Sequence, residues 1–219
     1  MRTRTFTALG GALLLAGTLA ACKDDAGASS GGKHAGGGQA GGGQAGGDVS
    51  GLRVAAEGSG GGYARDRFGT RWKDTDHNGC DQRNDVLARD LAGVRRQGRC
   101  VVVSGRLHDP YSGKDIAFAK AKASEVQIDH VYPLALAWRM GASKWPADRR
   151  EQFANDPGNL LAVWGVPNRQ KSDSGPSDWK PQQAFQCAYG RKYVAVARKY
   201  DLPVTVQDRA ALQGFLARC

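Results

Sequence analysis

"QIDHVYPLALAW", residues 127–138, is the stretch on which the reading of this chain turns. With the residues before it, "SEVQIDHV" alternates as a strand does. Val126, Ile128 and His130 fall on one face, Gln127 and Asp129 on the other. After Pro133 the pattern becomes helical through about Met140, and Gly141 is the natural stop. An acid and a histidine therefore stand side by side at the end of an apolar strand. A lone histidine in such a place packs as a satisfied core residue. This one is followed by Asn155-Asp156-Pro157-Gly158-Asn159-Leu160 and by Asn168-Arg169-Gln170-Lys171.

Working outward, Pro146 opens a second helix that runs to Phe153 or Ala154, since proline suits a first helical turn. "NLLAVWG" reads as a short buried strand. "PNRQKSDSGPSDWKPQ" is polar, with a short helical turn at most. Upstream, "RNDVLARDLAGVRRQ" (83–97) carries Val86, Leu87, Leu91 and Val94 at approximate helical spacing, with Gly98 as the stop. "CVVVSGRL" is β-branched and predicts a strand, and "DPYSG" (109–113) a turn. Two helices are expected to close the chain, one over about 181–200 and one from Thr205, whose spacing to Asp208 resembles a capping box.

The order Asp-His, Asn-Leu, Asn-x-x-Lys resembles the HNH (His-Me finger) endonucleases. The likeness is nearest to exported bacterial relatives of the nuclease domain of GmrSD-type restriction enzymes. It is densest over residues 128–173, "IDHVYPLALAWRMGASKWPADRREQFANDPGNLLAVWGVPNRQKSD". Weaker likeness covers "DTDHNGCDQRNDVLARDL" and "CAYGRKYVAVARKY". The resemblance implies an α+β fold: a ββα-metal hairpin with surrounding helices, whose distorted first strand lets Asp129 and His130 reach one cleft. It implies His130 as general base, Asp129 and Asn168 as metal ligands, and Asn159 as the brace of the hairpin. Lys171 is implied as a point charge on the phosphate. Asn159 also reads as a turn residue, and Lys171 as a solvated surface charge. This chain departs from the compact motif: 29 positions separate His130 from Asn159 (159 − 130). The insertion carries Trp138, Trp145 and Phe153, read as packing aromatics.

The chemistry is consistent with those residue types. Phosphodiester hydrolysis needs an activated water, neutralised phosphate charge and a stabilised leaving oxygen. A hard cation such as Mg²⁺ on oxygen ligands supplies the last two. A neutral imidazole can take the proton from water. Arg83 and Arg169 are further candidates for phosphate, which arginine grips in a bidentate manner.

A second motif competes for attention. In "DTDHNGCDQRND", Asp74, Asp76 and Asn78 occupy positions 1, 3 and 5 of a calcium-type loop, Gly79 position 6 and Asp85 position 12. Asp replaces the usual terminal Glu, and no convincing helix leads in. The alternative is a hydrogen-bonded Asp/Asn turn that caps the helix from Arg83.

The first residues give an address. Arg2 and Arg4 precede an apolar run ending Leu19-Ala20-Ala21-Cys22, which reads as a signal segment over 1–21 and resembles the bacterial lipobox. Cleavage before Cys22 and its lipidation would place the protein on a membrane's outer face; an ordinary signal peptide would release it as a secreted protein. Residues 22–62 are dominated by glycine and are expected to be a flexible tether, with His34 idle in it. The folded domain is expected over 63–219. Losing Arg2 and Arg4 and no acid takes the formal charge from +10 to +8, which suits an anionic partner. Cys80, Cys100, Cys187 and Cys219 remain, an even number in an oxidising compartment, and the pairing of sequence neighbours is favoured. The expected protein is a monomeric, exported HNH endonuclease acting on DNA, with RNA as the other substrate and little sequence preference. The competing classes are a calcium-binding surface lipoprotein and a module that holds nucleic acid uncut.

Overall fold

A computed structural model describes residues 48–219. The expected signal segment, Cys22, His34 and the tether through residue 47 lie outside the described residues. In chain order the elements are α1 (Gln82–Asp90), β1 (Ala92–Gln97), β2 (Val101–His108), β3 (Asp115–Ala119), β4 (Val126–His130), α2 (Leu134–Arg139), α3 (Ala147–Ala154), β5 (Leu160–Trp164), α4 (Gly165–Lys171), α5 (Gln186–Lys199) and α6 (Val206–Leu216). The strands form an antiparallel β1-β2-β3 sheet and an antiparallel β4-β5 pair. The class is α+β, and both expected disulfides, Cys80–Cys100 and Cys187–Cys219, are formed.

The β4-β5 pair divides the apolar interior in two, and strand alternation is the reason. Val126 and Ile128 of β4, with Leu160 and Ala162 of β5, join Val86, Leu87, Val102 and Phe118 under α1 and the three-stranded sheet. Leu161 and Val163 point the other way, into a larger core with Tyr132, Phe153, Tyr193 and Leu212. Trp138, Trp145 and Phe153 pack in or against that larger core.

Three elements differ from the sequence expectation. The helix from residue 83 stops at Asp90, and Val94 lies in β1. Asp81 caps its start by accepting from the Asn84 amide, but Leu91 is extended and Gly93 adopts φ +61, a left-handed turn that only glycine enters cheaply. Leu91 still reaches the core, so its helical spacing was a coincidence of burial. β3 was unforeseen because Ile116 and Phe118 are too short an alternation to announce a strand without its partner β2. The polar "GVPNRQK" forms a helix because Pro167 fits a first turn and because Asn168 and Lys171 find partners on β4.

The packed body also begins before residue 63. Val49 and Leu52 are buried, and Val54 bridges to Val204. Arg53 pairs with Asp201 at 2.7 Å, and Gly58 N–H donates to the Arg139 carbonyl at 2.9 Å. These apolar and charged anchors interrupt the glycine run and give it something to bury.

Candidate active site

Everything around His130 depends on how β4 ends. Pairing with β5 is continuous through His130, which faces Leu160, so the strand carries no bulge at the site. Asp129 and His130 consequently point to opposite faces. They share a cleft because the chain leaves the ladder immediately afterwards. Asn159, fully buried, makes that departure sharp. Its Oδ1 accepts from the Tyr132 amide at 2.8 Å, and its Nδ2 donates to the Tyr132 carbonyl at 3.2 Å. Its own carbonyl accepts from Val131 N–H at 2.8 Å. One asparagine thus serves both backbone groups of the residue two beyond His130.

His130 is half-buried and lies parallel to Trp72, with ring planes 13° apart. Its Nε2 lies 2.8 Å from the Ala154 carbonyl at the end of α3. A carbonyl only accepts, so the proton sits on Nε2 and Nδ1 keeps its lone pair. Burial, with smaller contributions from the charges of Arg65 and Lys171, pushes the imidazole pKa down to about 3. The ring is therefore neutral at working pH, and the same burial weakens it as a base.

On the other face, α4 docks along β4. Its Asn168 and Lys171, three apart, meet Gln127 and Asp129, two apart on the strand. Lys171 is fully buried. Its ammonium lies 3.0 Å from Asp129 Oδ2 and donates to the His130 carbonyl at 3.0 Å. Tyr111 O–H donates to the same Oδ2 at 2.5 Å. Burial raises the Asp129 pKa, while Lys171 and Tyr111 act to lower it. Tyr111 is held by its own turn, in which the buried Asp109 accepts from Ser112 N–H and Trp164 N–H, each at 2.9 Å.

Asp129, His130, Arg65, Arg139 and Asp173 line a cleft of about 510 Å³. Arg139 is engaged with Glu57 and Asp173. The expected site residues are thus partly assembled. His130, Asp129, Lys171 and Asn159 surround the end of β4. Asn168 does not join Asp129: its amide donates to Gln127 at 2.9 Å. The carboxylate is engaged by an ammonium and a phenol, so the Asp129–Asn168 pair does not fit a shared cation as it stands. Such an ion would require Lys171 to give way. Arg83 donates to the Ala123 and Val126 carbonyls, each at 3.0 Å, and so ties α1 to β4. Arg169 is exposed on α4.

The Asp74–Asp85 loop is a hydrogen-bonded turn. Asp74 accepts from the Gly79 amide at 2.8 Å, and the Asn78 side-chain nitrogen lies between Asp76 and Asp85 at 3.0 and 3.2 Å. A donor occupies the place a cation would need, and the arrangement does not fit calcium. Among the described residues, no group of three or more His, Cys, Asp or Glu is placed to hold an ion.

Sequence reasoning missed Tyr111, Arg65 and Trp72. A tyrosine in an otherwise polar turn was the one available signal for Tyr111; the other two have no motif around them.

The sequence model of the family described as "GmrSD restriction endonucleases, C-terminal domain" matches residues 81–214. A protein of Arthroderma benhamiae named as an uncharacterized secreted protein is 41% identical over 174 residues, which cover 78% of this chain and 82% of that protein.

Proposed function

Because the chain belongs to the family of GmrSD restriction endonuclease C-terminal domains, we propose that it is an exported endonuclease hydrolysing phosphodiester bonds in DNA. Export is supported by two disulfides and by the secreted relative. The β4-β5-α4 unit is the His-Me finger, ββα-metal core of this reading.

The observation that carries the reading is the fixed tautomer of His130. Ala154 holds the Nε2 proton, and a neutral Nδ1 is left in a ring that lines the cleft. In the proposed step, Nδ1 takes a proton from water while the water oxygen bonds to phosphorus. The opposite P–O bond breaks in line, and its oxygen leaves as the 3′ alkoxide, which takes a proton from solvent while His130 returns its own proton to solvent. Asn159 and the Lys171–Asp129 pair keep the end of β4 in place while this happens. Little sequence preference is part of the proposal. Lipid anchoring through Cys22 is a further part of the proposal; no step above is routed through a metal, because Asp129 and Asn168 do not fit a shared ion as they stand.

The test is plasmid cleavage by the mature protein with Mg²⁺, with EDTA, and by His130→Ala. Cutting by the wild type and a loss of 10²-fold or more in the variant are expected. Retardation of the plasmid without nicking would replace the hydrolase with a nucleic-acid binder. The EDTA arm reads the metal requirement directly.

A further inference from the structure

Arg65 stands on a short 3₁₀ turn, Arg65–Phe68, upstream of the family-matched residues 81–214. The turn is firmly seated. Phe68 is fully buried and packs against Phe153 and Trp138, with ring centroids 6.1 and 6.2 Å apart. The Arg65 side chain lines the same cleft as His130 and Asp129.

Its guanidinium is set apart from the other cations there. Arg139 holds two carboxylates and Lys171 holds Asp129. Arg65 Nη1 is buried with no hydrogen-bond partner, and among the described residues no carboxylate pairs with Arg65. Burial, with Arg71 adding like charge, lowers the pKa of the group. A half-buried cation with one nitrogen desolvated and no counter-charge costs some stability, and such costs persist where a ligand removes them. What removes this one is an anion that enters the cleft. The planar fork matches two oxygens of a tetrahedral phosphate.

We propose that Arg65 is a substrate-binding residue that grips the phosphodiester through its unpartnered Nη1. The active site is then completed by a residue that lies outside the matched family domain. The proposal rests on the nuclease reading for its substrate, but its test separates the two.

Wild type, Arg65→Gln and Arg65→Lys are compared in plasmid cleavage. The same substitutions on a His130→Ala background are titrated with a DNA duplex across a range of NaCl, and circular dichroism checks folding. Arg65→Gln is expected to lose roughly 10²-fold in kcat/KM. The salt dependence of log K is expected to fall by about 1, the slope of a single phosphate contact. Arg65→Lys should keep the slope and recover part of the rate. A structural role would move the folding signal and leave the slope alone. Cleavage and salt slope both unchanged in a folded Arg65→Gln would overturn the proposal. If wild type does not cut, the nuclease reading fails and the slope still decides Arg65: a drop of about 1 upholds the phosphate contact, and no drop removes it.

Discussion

At the scale of the residue, the informative group is His130, because one hydrogen bond fixes its tautomer. Its pKa of about 3 in the folded protein lies below the ordinary histidine value of 6.5. Between those values the unfolded chain binds the proton and the folded protein does not. Stability therefore rises with pH across that window and is lost as pH falls from 6.5 towards 3. The cost reaches up to ~1.4 kcal/mol per pH unit. Urea denaturation of wild type and His130→Gln at pH 7, 6, 5 and 4 isolates it, since the variant lacks the titration. Any advantage of wild type over the variant should shrink steadily below pH 6.5; a pH-independent difference would remove burial as the cause. The order of His130 with Asn159 and Asn168 pointed in the sequence to the end of β4, and His130 does line the cleft there, while Asn168 is turned to Gln127. The direction of Lys171 was not legible. A lysine near a proposed phosphate reads as a phosphate ligand until a buried carboxylate is seen 3.0 Å away.

At the scale of the element, the site depends on how closely α4 lies on β4. Gly165 starts that helix, and its N–H donates to the Glu125 carbonyl at 2.8 Å. A Cβ there would meet the Ser124 carbonyl oxygen at 2.8 Å and Arg169 and Gln127 at 2.9 Å. Ser124 is backbone and cannot move aside cheaply, so Gly165→Ala should lift the start of α4. The Asn168–Gln127 bond, next along the helix, is the first to loosen, followed by Lys171 on Asp129. Destabilisation of about 1–3 kcal/mol is expected, together with a fall in plasmid cleavage. Thermal unfolding and initial rates check both, and an Ala variant with wild-type values would show that the contact is slack. This element was the least legible of the chain. Its last four residues are polar, and its helicity comes from partners 41 and 42 positions away, Gln127 and Asp129. β4, α2, α3 and β5 were readable because each carries its own period and its own stop. α1 was readable at its cap and not at its end, where a left-handed glycine outweighed the apolar spacing.

At the scale of the whole molecule, the cleft is made by chain segments far apart in sequence, and its outer wall is the least expected of them. Residues 50–62 continue the glycine-rich stretch, with Gly at 51, 58, 60, 61 and 62, and composition alone assigns them to a linker. The side chains between and just before those glycines give the segment its place. Val49 and Leu52 enter the main core, Glu57 reaches Arg139, and the Gly61 carbonyl accepts from Trp138 Nε1 at 3.1 Å. Burying two aliphatic side chains contributes ~3–6 kcal/mol by area alone, before the entropy of ordering the segment is subtracted. A protein starting at residue 63 should therefore be less stable than one starting at residue 48, by roughly 1–3 kcal/mol once that entropy is counted. It should also cut more slowly, because Arg139 loses Glu57 and the cleft loses Gly60. Calorimetry on the two proteins, with Leu52→Ala in the longer one as a reference for a single lost anchor, makes the comparison. Equal melting temperatures would reduce the segment to a passive strap. A truncation that melts lower and yet cuts at the full rate would confine it to stability and leave Arg65, two residues beyond the new start, to hold its position through Phe68 alone.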